Sequence, residues 1–136
     1  MKRDERGSGT VELVLIAMPV LAVMMLIVFG GRVARAEGTL AGVAHYGALQ
    51  AAQARSAGDA DSTAQAAVAA ELAASGLPCD STDVVVDTGD FRPGGTVAVQ
   101  VTCHLRLSDL GPLPMSGTRA TVSRSVAVVD AFRGTS

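Results

Sequence analysis

Glu12 is the residue that most needs a chemical reason. It stands at the head of Leu13 to Gly31, a run of 19 residues without a charge that ends at Arg32. An ionisable side chain at the edge of lipid is costly, and such residues are usually functional. Near a helix N-terminus a carboxylate also meets the favourable end of the macrodipole. The plainer alternative is a glutamate that snorkels to the headgroups, because the cost depends on depth. Cys79 and Cys103 are the only thiols. Two cysteines with no neighbouring histidine read as one disulfide rather than a zinc site, which needs four ligands. Two buried free thiols are the other reading. If paired, the cysteines place the C-terminal part in an oxidising compartment.

Other residue types that do chemistry occur without their frames. Asp87-Thr88-Gly89 is one copy of a tripeptide whose carboxylate aspartic proteases need twice, so a strand-end turn is expected. His45 and His104 are isolated in sequence, and Asp59 with Asp61 is too small a set for a calcium loop. No nucleophile elbow gathers Ser, His and Asp. Lys2 is the only lysine, and no glycine-rich phosphate loop precedes a helix. The expectation is a protein that is not an enzyme, with no catalytic residues, no metal, no cofactor and no small-molecule substrate.

The totals narrow the class further. The chain has 136 residues, 11 Lys+Arg against 13 Asp+Glu, and a net charge of −2. That length allows one small domain and one spanning element. The charge gives no footprint for nucleic acid, and one Tyr, three Phe and no Trp supply little stacking surface.

The uncharged run matches the thickness of a bilayer core, about 20 residues as a helix. Lys2, Arg3 and Arg6 precede it, offset by Asp4 and Glu5, while Arg32 and Arg35 follow, so charge alone points weakly to a cytoplasmic N-terminus. Three readings of the segment stand: a signal peptide cut after Ala34-Arg35-Ala36 and before Glu37, a plain single-pass anchor, or a leader-bearing pilin helix. Only the third gives Glu12 a task. Beyond the run, the sequence to Ser56 has no proline and is rich in good helix formers. A helix from Ser8 to Ser56 would be roughly 70 Å long at about 1.5 Å per residue. Pro19 should kink it by removing the bond to Leu15. Gly30-Gly31 is a second soft point, and Gly38 with Gly42 forms a small-xxx-small pair suited to close helix packing.

"MKRDERG" followed by "SGTVE" and the wider stretch "RGSGTVELVL…GRVARAEGTLAGVAHYGALQAA" resemble the TadE-like family of the tight-adherence (Flp-type) pilus system. The resemblance implies a short leader, residues 1–7, cleaved between Gly7 and Ser8 by a prepilin peptidase. Glu12 then becomes the fifth residue of the processed chain and a subunit-docking charge, since its carboxylate could pair with the new Ser8 ammonium of a neighbour. It implies a minor pilin or pseudopilin in the inner membrane, single-pass, with its C-terminal domain outside the cytoplasm or in an extracellular pilus. Its partners would be the membrane, other pilins and pilus assembly proteins. Two departures from major Flp pilins, an added C-terminal domain and Leu13 rather than an aromatic after Glu12, favour a minor component. A membrane-anchored or secreted binding domain that never enters a fibre is the alternative.

The elements behind the run predict an α+β head with a second helix and a three-stranded antiparallel sheet. "SAGDADS" at 56–62 reads as a turn, and Ser62 with Gln65 as a capping box opening a helix to Ser75, with Gly76 and Pro78 as its stop. Its apolar face would be Ala66, Val68, Ala69 and Leu72. Thr82 to Asp87 reads as a strand and "GDFRPGG" as a turn. From Thr96 to Leu107 alternation is complete, with Val97, Val99, Val101, Cys103, Leu105 and Leu107 on one face. Thr118 to Phe132 gives a third strand with Ala120, Val122, Val126 and Val128 as its apolar side, interrupted by Arg124. A Cys79–Cys103 bond would staple the second helix to the sheet and contribute roughly 3–4 kcal/mol. The expected division is 1–7 leader, 8–31 transmembrane helix, 32–57 helix extension and 58–136 head.

Overall fold

The computed structural model describes residues 8–109 and 116–132. The elements follow the order α1 (Ser8–Ala52), α2 (Ala57–Ser75), β1 (Cys79–Asp90), β2 (Thr96–Arg106) and β3 (Thr118–Val128), with a 3-10 turn at Leu107–Asp109. The three strands form one antiparallel sheet in the order β1-β2-β3. This is the expected α+β architecture: a long N-terminal apolar helix, a second helix and a three-stranded sheet. The chain divides into two units, one ending at Ala34 and one beginning at Arg35. Residues 35–52 of α1 therefore belong to the head.

β2 organises the head. Its alternation puts Val97, Val99, Val101, Cys103 and Leu105 in the core. Against them lie Leu40, Val43, Ala44, Ala48 and Ala51 of α1 and Ala60, Ala64 and Val68 of α2. Small side chains on both helices let their backbones come close. Gly47 of α1 marks the tightest point, because a Cβ there would lie 2.7 Å from Val68 Cγ2 and 3.5 Å from Val99 Cγ1. Gly38 and Gly42, the pair expected to pack, are exposed, and a Cβ on either meets nothing within 4 Å.

α2 begins nearly two turns earlier than its composition implies, with the cap at Ser56 rather than Ser62. Ser56, in an extended conformation, is the N-cap, and its Oγ accepts from the Asp59 N–H at 3.1 Å. Ser62 instead donates back to the Asp59 carbonyl, and Gln65 donates to Asp61. The stretch read as a turn is thus the opening of the helix, whose buried stripe is Ala60, Ala64 and Val68, with Leu72 half-buried and Ala66 and Ala69 exposed. Gly76 ends it with φ 66°, the left-handed geometry that glycine adopts freely. Between β1 and β2, Pro93 and Gly94 (φ 77°) occupy the central positions of a turn closed by Gly95 N–H to Arg92 C=O, as a type II turn requires.

β1 is longer than expected, and the cysteines are bonded. Cys79 is the first residue of β1, and Cys103 lies on β2 opposite Thr82. The bond links neighbouring strands, with Cα atoms 5.4 Å apart, across a register shift between Cys79 and Ser81. It fastens the point where α2 hands over to the sheet, rather than the helix itself.

β3 presents the opposite face from the one its hydropathy implies. Register sets Val97 against Ala127, Val99 against Ser125, Val101 against Ser123 and Cys103 against Thr121. Directly opposed residues share a face of the sheet, so β2's buried positions assign Thr121, Ser123, Ser125 and Ala127 to the inner side. Val122, Val126 and Val128 face outward, 56%, 53% and 69% exposed.

Two outcomes test this packing. Gly47→Ala should destabilise the head by about 1–3 kcal/mol through overpacking against the stiff Val68, whereas Gly42→Ala should be neutral or stabilising by up to about 1 kcal/mol; urea unfolding followed by circular dichroism compares them. Replacing Cys79 and Cys103 together by Ala should lower stability by roughly 2–4 kcal/mol in the same assay.

Candidate functional site

The N-terminal unit is built from α1 alone. Ser8 is the first described residue of the helix, and Glu12 lies four residues on, an axial separation of about 6 Å at about 1.5 Å per residue. Gly7, the other side of the expected cleavage bond, lies outside the described residues. Glu12 is exposed and has no ion-pair partner among the described residues. After it, every large apolar side chain from Leu13 to Val28 is at least half exposed; Leu13 reaches 71% and Leu26 73%. The helix is long and apolar enough to cross a membrane, and none of its most apolar window is buried within the chain. It fits a single-pass membrane anchor. Pro19 sits inside it, and the helix continues through Gly30 and Gly31.

The arrangement follows from the sequence. No charge interrupts 13–31, and the helix carries Pro19 and Gly30-Gly31 without ending over about a bilayer's thickness. Water would not tolerate that surface, whereas lipid does. A carboxylate at the head of the surface is the one group that lipid penalises, and it is placed where a positive charge on Ser8 would be within a turn.

In the head, polar residues pair across elements without converging on a reaction centre. His45 Nδ1 lies 3.2 Å from Ser125 Oγ, and Glu37 lies 3.7 Å from Arg119, so α1 is tied to β3 twice. Asp83 faces His104 at 3.4 Å, Arg106 Nε donates to Asp80 at 2.8 Å, and Arg124 lies 3.6 Å from Asp87. Asp87 Oδ1 also accepts from the Gly89 N–H, and Asp87-Thr88-Gly89, expected as a strand-end turn, instead lies within β1 at its register shift. Among the described residues no group of three or more His, Cys, Asp or Glu is placed to hold a metal. Open depressions lie on the outer sheet face beside Asp87 and Arg124, and between α2 and β1 beside Val68 and Thr82. Sequence reasoning missed the His45–Ser125 contact and the outward valines of β3. The interruption of the supposed apolar face by Arg124 was the available signal for the second.

No curated protein and no solved structure matches the chain. The family model described as TadE-like protein matches residues 7–49, from the glycine before Ser8 to the point where α1 has become part of the head core. Residues 7–49, about a third of the chain, are thus similar to the TadE-like family.

Proposed function

We propose that this protein is a minor pilin or pseudopilin that takes part in assembly of a tight-adherence pilus by packing rather than by catalysis. Its leader is removed after Gly7 by a prepilin peptidase. The remaining helix holds the protein in the cytoplasmic membrane with the disulfide-bonded head outside. There the apolar surface of α1 waits for other helices, and Glu12 supplies the register. In a bundle of such helices, the Glu12 carboxylate of one subunit meets the Ser8 ammonium of the next. Removing one member of a buried pair costs roughly 3–5 kcal/mol, which is enough to reject misaligned neighbours.

The observation that carries this reading is the coincidence of three features on one segment. The family match begins at Gly7, one unbroken helix carries the whole apolar run, and one carboxylate heads its exposed surface. A plain anchor accounts for the surface but leaves Glu12 without a partner.

Intact mass of the membrane form should give Ser8 as the first residue. Met1 in that place would mean an unprocessed anchor, and Glu37 a released head. Glu12→Ala should leave membrane insertion unchanged and reduce incorporation into pili at least tenfold, read by immunoblot of sheared fibres. Wild-type incorporation of the variant would remove the docking role.

A further inference from the structure

The two edges of the sheet are not alike. β1 has register shifts near both ends and carries Asp80, Asp83, Asp87 and Asp90 with no cation. β3 pairs with β2 in unbroken register over its whole length and carries Arg119 and Arg124 with no acid, no glycine and no proline. Proteins normally guard an edge with bulges, charges or proline. β1 has such guards at its ends, whereas β3 is long and regular.

The hydrogen-bond phase shows what β3 offers. Leu107 N–H donates to Gly117 C=O at 3.0 Å and Val129 N–H to Gly95 C=O at 2.9 Å, and both pairs extend the β2–β3 register. Bonded pairs alternate along an antiparallel ladder. Odd-numbered residues of β3 therefore bond to β2, while Ala120, Val122, Arg124 and Val126 turn their N–H and C=O groups to the open edge. By the same alternation the even residues of β2 bond to β1, which leaves Val84 and Val86 of β1 with outward groups. Among the described residues, no backbone bond joins these outward groups to another element.

We propose that heads associate edge to edge, β3 of one copy pairing in parallel with the Ser81–Asp87 stretch of β1 in a second copy. β1 and β3 both run antiparallel to β2, so parallel pairing keeps the two copies in the same orientation with their core faces on one side. In a parallel ladder an outward-bonding residue lies beside a non-bonding one on the same face. The outer face of β3, Val122-Arg124-Val126 at alternate positions, then lies beside Asp83-Val85-Asp87 of the second copy. In that alignment Arg124 sits opposite Val85 and diagonal to Asp83 and Asp87 of the second copy, in addition to the Asp87 that its own chain sets 3.6 Å away, and Val122 and Val126 sit diagonal to Val85. A two-fold β3–β3 pairing would set arginine strands side by side. Repeated head-to-tail contacts form an open series, the geometry a fibre or its tip uses.

Sedimentation of the full-length protein in detergent micelles tests the pairing. The wild-type chain should form species larger than a monomer as concentration rises. Val122→Pro, which removes an outward N–H but no bond to β2, should weaken association at least tenfold with the disulfide and circular dichroism retained. Arg124→Glu and the double variant Asp83→Arg/Asp87→Arg should each be as weak alone and associate when mixed, because each supplies the edge charge the other lacks. Glu12→Ala should associate like wild type, which separates this contact from helix docking. A monomeric wild type, full association of a folded Val122→Pro, no recovery in the mixture, or loss of association in Glu12→Ala would each overturn the proposal. Should Val122→Pro fail to fold, the charge variants decide.

Discussion

A helical surface that water cannot tolerate sets the terms for the whole molecule. From Leu13 to Gly31 no residue carries a charge, and from Leu13 to Val28 no large apolar side chain is covered by the chain's own fold. Such a surface is stable only against lipid or against other apolar helices, and the exchange of one for the other releases little hydrophobic free energy. Helix association in that setting has to be directed by packing and by polar groups. Glu12 is the only charged side chain in residues 8–31, and the proposed docking role rests on it.

The same helix has a second duty past residue 34. There its composition changes from Leu, Met and Ile to Ala and Gly, and the stripe Leu40, Val43, Ala44, Ala48 and Ala51 is buried against β2 and α2. Small side chains suit a core of this size, because they let two helices and a sheet approach closely without large aromatic residues. Gly47 is the extreme case, with Val68 occupying the place of its missing side chain. The bonded cysteines fasten the start of β1 to β2, compensating for a head whose buried area is small.

How much of this was legible in the sequence depended on whether a signal was local. β2 is legible from Val97 to Leu105, because strict alternation leaves one choice of face, whereas Leu107, the last of the alternating set, opens the 3-10 turn instead. The apolar run and the pairing of Cys79 with Cys103 were legible for similar reasons of length and number. β3 was misread because its hydropathy favours Ala120, Val122 and Val126 as the inner side, while pairing to β2 assigns that side to Thr121, Ser123 and Ser125. Register is inherited from a neighbour and cannot be seen in one strand. α2 was started late because Gly58, Asp59 and Asp61 look like a turn, although Ser56 and Asp59 already form its cap. Gly38 and Gly42 drew attention by spacing, yet the close approach occurs at Gly47, where the partner is three-dimensional.

The pairing of Glu12 with a neighbour's amino terminus can be measured by zero-length cross-linking. Membranes or fibres holding a mixture of isotopically light and heavy subunits would be treated with an apolar carbodiimide, which joins a carboxylate only to an amine it touches. The account predicts an amide between the Glu12 side chain of one isotopic form and the Ser8 amino group of the other, identified by peptide mass spectrometry. Recovery of Glu12 joined only within its own chain, or not joined at all in assembled fibres, would contradict it.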